Sequence, residues 1–302
     1  MPTRFIDPTT DYGFKRLFGR RNSPESKEIL RHFLFEVLAL PHPITDLVYL
    51  PTEQIPDSMG ERTGIFDIYC TDATGQHFLV EMQRNRRSYF KERALYYATF
   101  PITQQVQRGD EGPPFKLLPI YVTSILSFRM DDEPDFLRRI QLANVATGQV
   151  FYQGLTFVFI ELPKFTRALT ELTTGTEKWL YLLSHMATLD VVPEELAVEP
   201  YTLAFRAAEE GALSREEWMF YQGSLKQLRD ERSLYYTGLE EGRIEGLEAG
   251  IERGHRAGLT EGMEEGQVRK SREMARAMLA DGMDRALVAR YTGLSEAELE
   301  DL

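Results

Sequence analysis

Cysteine is nearly absent: Cys70 is the one thiol in 302 residues. An intramolecular disulfide is therefore excluded, and so is a CxxC metal knuckle. The residue sits in the apolar string IFDIYC, where a buried structural thiol is expected rather than a nucleophile. Long apolar runs are missing too. No stretch of about 18 uncharged apolar residues occurs, which argues against a membrane span. The opening MPTRFIDPTTDYGFK has no apolar run of signal-peptide length. The expectation is a cytoplasmic protein that is not exported. Positive charge is in deficit as well, with 35 Lys+Arg against 47 Asp+Glu and a net charge of -12. That deficit counts against a surface covered in phosphate contacts. Its distribution is uneven, however. Residues 1–100 carry 13 Lys+Arg against 13 Asp+Glu, residues 101–230 carry 12 against 18, and residues 231–302 carry 10 against 16. Within the neutral first third the cations gather as Lys15, Arg16, Arg20 and Arg21, then as Arg84, Arg86, Arg87, Lys91 and Arg93, which leaves room for a local basic rim.

What is present suffices for a packed core, since 42% of the residues are hydrophobic. Asp11 to Phe18 reads as a short helix closed by Gly19, and Ser23-Pro24 supplies an N-cap with proline at the first helical position. Ile29, Leu30, Phe33, Leu34, Val37 and Leu38 recur at spacings of three and four, so residues 25–39 form a helix with one apolar face, ended by Pro41 and Pro43. ITDLVYL (44–50), GIFDIYCTD (64–72) and HFLVEMQR (77–84) read as strands, the last two as a hairpin. Residues 88–107 return to a helical pattern that Pro101 should interrupt or kink. LLPIYVTSIL (117–126) suits a central strand covered on both faces, and LTFVFIEL (155–162) is a second such strand. This order describes an α/β sandwich with a mixed sheet. From about residue 165 to 235 the pattern is helical and should close one side of the core.

The hairpin carries the candidate chemistry. Asp67 and Tyr69 share one strand face with Leu79, Glu81 and Gln83, opposite an apolar face of Phe66, Ile68, Cys70, Phe78, Val80 and Met82. A loop at 72–76 pairs Thr71 with His77, and the same register sets Asp67 opposite Glu81, about 5 Å apart at Cβ. Two opposed carboxylates repel, and a divalent cation between hard oxygen ligands would offset that repulsion. An ordinary half-solvated hairpin explains the same alternation without any metal.

Four segments in order add a resemblance: DYGFKRLFG (11–19), the spacing D-x13-E-x-Q formed by Asp67, Glu81 and Gln83, RRSYFKERALYYAT (86–99), and LLPIYVTSIL (117–126). Together they resemble the recombination-promoting nuclease family, also called PD-(D/E)XK nuclease family transposases, over about residues 4–165. The resemblance implies a restriction-endonuclease-like α/β core, with a mixed central sheet flanked by helices, followed here by an all-helical C-terminal extension. It implies that Asp67 and Glu81 bind Mg²⁺, with Mn²⁺ or Ca²⁺ as substitutes, and that Gln83 stands where a lysine usually lies beside the nucleophilic water. An amide can orient a water but brings no positive charge, so the metal must do more of the work. Asp11 with Lys15 matches the family's N-terminal acid-and-lysine motif; the pair reads either as a third acidic contribution to the site or as a helix-start acid with its i,i+4 partner. Arg84, Arg87 and Arg93 are candidates for positioning DNA phosphates, as an alternative to solvating a helix start. Tyr96 and Tyr97 read as packing residues.

Gly238, Gly242, Gly246, Gly250, Gly254, Gly258, Gly262 and Gly266 form an unbroken period of four. Leu239, Leu247, Ile251, Leu259 and Met263 each follow a glycine, which suits close helix–helix approach and a homo-oligomer. A flexible linker is the competing reading. Beyond it, REMARAMLADG, DRALVARYTG and SEAELEDL read as three short helices, with Gly282 and Gly293 as turns and Ser295 with Glu298 as a capping box. ALVARYTGLS resembles a helix-turn-helix, but the last helix offers Glu296, Glu298, Glu300 and Asp301 to any base edge, which favours docking over sequence readout. The expected organisation is a nuclease-like core at 1–165, a helical extension packed on it at 166–235, the glycine segment at 236–267 as helix or linker, and a helical tail at 268–302. The expected function is a Mg²⁺-dependent DNA endonuclease of low sequence specificity that promotes recombination. The alternative is a catalytically weak nucleic-acid-binding or oligomeric scaffold protein; a helix-turn-helix regulator is a more distant third.

Overall fold

The computed structural model describes residues 4–54, 64–85, 89–106 and 116–302. They form two compact units, Met1–Glu231 and Arg232–Leu302.

The first unit opens with α1 (Asp11–Phe18), whose N-cap Thr10 accepts the Gly13 N–H, and α2 (Pro24–Leu38), capped by the Ser23 hydroxyl. Ile29, Leu30, Phe33, Leu34 and Val37 of α2 are all fully buried, as their spacing requires. The strands are β1 (Leu47–Tyr49), β2 (Glu53–Gln54), β3 (Gly64–Ile65), β4 (Ile68–Asp72), β5 (His77–Gln83), β6 (Ile120–Leu126), β7 (Leu137–Ala143) and β8 (Val150–Glu161). Six of them make a mixed sheet in the order β1-β4-β5-β6-β8-β7, while β2 and β3 pair separately. The central trio β5, β6 and β8 is parallel, and its outer neighbours are antiparallel. One sheet face packs on α1, α2, α4 (Gly175–His185) and α5 (Tyr201–Ala207) through residues such as Phe78, Val80, Phe33 and Trp179. The other packs under α3 (Phe90–Gln104) through Tyr69, Leu79, Val122, Phe90 and Tyr97.

Three sequence expectations are corrected here, and one strand had no counterpart among them. The hairpin face that carries Glu81 is roofed by α3, because Tyr69 and Leu79 give it an apolar core of its own. The strand expected at 64–72 breaks at Phe66 and Asp67; Phe66 gives its N–H to Thr52 O and turns its ring toward Tyr97, 4.8 Å away and edge-on. Pro101 lies inside α3, which continues to Gln104, so the helix is not interrupted. Edge strand β7 has half-exposed and exposed residues and no clean period of two, so its pattern gives no strand signal.

A single helix, α6 (Arg215–Ala280), covers 66 residues and passes through all eight ladder glycines. No proline occurs between 215 and 280, so nothing in the chain forbids continuation. The first of the three expected tail helices is thus the end of α6. In the second unit that end packs on α7 (Arg285–Thr292) and α8 (Glu296–Glu300) around Ala275, Val288, Leu294 and Leu299. Gly282 and Gly293 make the turns at φ 81° and 72°, and Ser295 and Glu298 form the capping box. No helix among the described residues is long and apolar enough to cross a membrane.

Candidate active site

The site lies where β5 meets the break between β3 and β4. The pairing Thr71↔His77 continues to Ile68↔Val80, so Asp67 comes opposite Glu81 as the loop length requires. The two are held by hydrogen bonds rather than by a strand pair. Asp67 N–H donates to Glu81 Oε1 at 3.1 Å, and Asp67 Oδ2 accepts the Met82 N–H at 2.7 Å. Leaving the strand is what lets the Asp67 carboxylate fold back on the neighbouring backbone. Glu81 is only 3% exposed, and its Oε2 accepts from Gln83 Nε2 at 3.1 Å. Ser127 N–H holds the Gln83 carbonyl at 3.0 Å, and Asn85 donates to Glu231 of α6, so the exit of β5 is tied on both sides.

Burial pushes both carboxyls up. For Glu81 desolvation is the first cause and the Asp67 charge the second, carrying it to about 8, with Arg93, the Asp67 N–H and the Gln83 amide pulling the other way. Asp67 is raised by desolvation against the opposing Met82 N–H and Lys15. Asp11 and Lys15 pair with each other at 2.9 Å across one helical turn, and both act on Asp67 through their charge.

Three residues complete the arrangement from outside the hairpin. Arg93 of α3 brings Nη2 to 3.5 Å from Glu81 Oε2, while its guanidinium stacks over the Tyr97 ring at 4.9 Å. The Tyr97 hydroxyl is pushed up to about 12, first by burial and then by the Glu81 charge. Tyr97, expected as packing alone, therefore borders the carboxylates. Ser124 of β6 stands in register beside Glu81 and is buried. Its signal in the sequence was only a hydroxyl pair, Thr123 and Ser124, inside an otherwise apolar strand. Arg84 leaves the site strand half-buried, and among the described residues its Nη1 and the Nε of Arg93 are buried without a hydrogen-bond partner. Arg86 and Arg87 lie outside the described residues.

The donor set can be tested against a metal. Among the described residues no group of three or more His, Cys, Asp or Glu could hold an ion. Among the described residues the site thus offers two carboxylates and an amide oxygen, all hard ligands, and no thiolate or imidazole. Mg²⁺ is commonly held by one or two carboxylates with waters completing its shell, so this set fits it. The repulsion between half-buried Asp67 and buried Glu81 is the feature a cation would relieve.

A family model described as PD-(D/E)XK nuclease family transposase matches residues 8–238, about three quarters of the chain. A second, described as the Rpn/YhgA-like nuclease family, C-terminal HTH domain, matches residues 268–302. Neither the curated proteins nor the solved structures return a match.

Proposed function

The chain belongs to the PD-(D/E)XK nuclease family transposases, and from that membership we propose that it is a Mg²⁺-dependent DNA endonuclease of low sequence specificity. The observation that carries this reading is the pair Asp67 and Glu81, opposed across the hairpin and joined by the bond from the Asp67 N–H to Glu81 Oε1, with both carboxyls driven toward protonation. These two residues would hold the ion, with Mn²⁺ or Ca²⁺ as substitutes. When bound, the ion supplies an acidified water and neutralises charge on the phosphoryl oxygens. Gln83 orients the attacking water through its amide. Arg84 and Arg93 offer their unpartnered nitrogens to the phosphates flanking the scissile bond, and Arg87 extends the same basic run. Asp11 and Lys15 tune Asp67 through their opposed charges. Contacts of this kind recognise the backbone and not the bases, which suits DNA breaks that promote recombination. DNA as substrate puts the work in the cytoplasm. Plasmid nicking by the purified chain, with and without Mg²⁺, tests the proposal; nicking unchanged in Asp67→Ala would sink the site.

A second reading has its own observation. Gln83 spends its amide on Glu81 and adds no charge, which favours a weak catalyst that binds nucleic acid and assembles through the helix at 238–266. Along that helix Leu239, Leu247, Ile251, Leu259 and Met263 are all exposed. This scaffold would bind DNA in a salt-sensitive way without cutting it, and it would lose its multimers on truncation at Ser233.

A further inference from the structure

We propose that Arg93 is an exchangeable counter-ion: it pairs with Glu81 until a divalent cation takes that carboxylate, and then transfers to a DNA phosphate. This inference rests on the nuclease reading of the site and adds a coupling between ion and substrate.

The contact between Arg93 and Glu81 is loose. Nη2 to Oε2 is 3.5 Å, longer than the 2.7–2.9 Å of a charge-assisted hydrogen bond, so attraction and not a directed bond holds the pair. Glu81 meanwhile already accepts the Asp67 N–H and the Gln83 amide, so its geometry does not depend on the arginine. What Arg93 provides is charge, and it acts on both carboxylates.

The guanidinium is built to serve another anion as well. Its Nε is buried with no hydrogen-bond partner among the described residues. The side chain is 31% exposed, so the group reaches from the buried carboxylate to the surface. Tyr97, one helical turn along α3, lies under the guanidinium at 4.9 Å. The Tyr97 ring and its hydroxyl both lie against Arg93, so the guanidinium keeps this support whichever anion it faces. A cation at Asp67 and Glu81 would remove the attraction that holds Arg93 and repel it. The nearest new source of negative charge is the phosphate that the same cation attracts. Gln83 contributes no charge on the active strand, so the positive group must come from elsewhere, and α3 delivers it.

The test measures Ca²⁺ binding by titration calorimetry and duplex DNA binding by fluorescence anisotropy in EDTA and in Ca²⁺, using the full chain. Removing a competitor for Glu81 tightens the ion, so Arg93→Ala is expected to bind Ca²⁺ about three- to tenfold more tightly than wild type. Its DNA affinity should fall about tenfold in Ca²⁺, where the phosphate contact is lost, and by clearly less in EDTA, where Glu81 holds the guanidinium. Arg93→Lys, which keeps the charge, should bind Ca²⁺ as wild type does, and thermal unfolding checks that both variants fold. Ca²⁺ binding weakened or unchanged in Arg93→Ala overturns the exchange and leaves the nuclease reading standing. An equal loss of DNA affinity with and without Ca²⁺ also overturns it, since that describes a fixed phosphate contact. Failure of the wild type to bind Ca²⁺ overturns the nuclease reading and the exchange together.

Discussion

Glycine serves opposite purposes in the two units. At Gly13, inside α1 of the nuclease-like unit, an added Cβ would lie 2.0 Å from the Asp7 carbonyl oxygen, so the close packing of that turn demands glycine. At each ladder glycine from 238 to 266 an added Cβ meets nothing within 4 Å. The same contrast holds for side chains. Glu81, a carboxylic acid, is buried and held by three neighbouring groups, whereas Ile251, apolar, is 64% exposed. In the first unit tertiary contacts dictate what each position must be; in the second the helix makes no such demand, and its glycines answer to something other than the packing of this chain.

The contrast can be broken at its strongest point first. Asp67→Ala should reduce plasmid nicking in Mg²⁺ by roughly 10³ or more, because it removes one of the two proposed acidic ligands. Next comes the close packing itself. Gly13→Ala should cost about 2–3 kcal/mol in denaturant unfolding, since the obstacle is backbone and cannot rotate away.

Glu81→Gln should do the reverse in the absence of metal, stabilising the chain by about 1–3 kcal/mol near pH 8. The sign follows from linkage. Glu81 titrates at about 8 in the folded chain, above its ordinary 4.5, so the folded state keeps a proton that the unfolded state has released. Metal-free stability therefore declines as pH rises between about 5 and about 8. The glutamine variant should lack that slope and should also lose any rise in melting temperature on adding Mg²⁺. A wild-type protein with flat stability across that range would remove Glu81 from the buried, strained state assigned to it.

The smallest effect sharpens the other side of the comparison. Gly250→Ala with Gly254→Ala should strengthen helix α6 by about 1 kcal/mol per site, read by circular dichroism during thermal melting. If the ladder brings two copies into close approach, sedimentation will show that the same variant loses its oligomer. Gain of helix together with an unchanged assembly would leave the glycines without a role in association.

Several features of the fold were legible because they are local. Thr10 and Ser23 cap their helices, and the five-residue loop at 72–76 sets the hairpin register that brings Asp67 to Glu81. The capping box at Ser295 was equally plain. The misses have a different origin. Phe66 turns away from the face its alternation assigned, because the strand is interrupted where the Asp67 carboxylate captures the Met82 N–H. Edge strand β7 shows no alternation because little covers it. Tyr97 and Ser124 belong to the site only through the layer of α3 above the sheet and the neighbour relation of β6 to β5.

Hydrogen-bond caps, apolar periodicity and turn length act over a few residues, so the sequence by itself determined the helices, the hairpin and the opposition of Asp67 to Glu81. The electrostatic state of that pair was decided by tertiary structure. Burial of Glu81 depends on α3 lying across the sheet, and its counter-charge arrives on that same helix as Arg93, twelve residues further along the chain. Desolvation and charge proximity are properties of what surrounds a group in space, and no spacing along the strand encodes them.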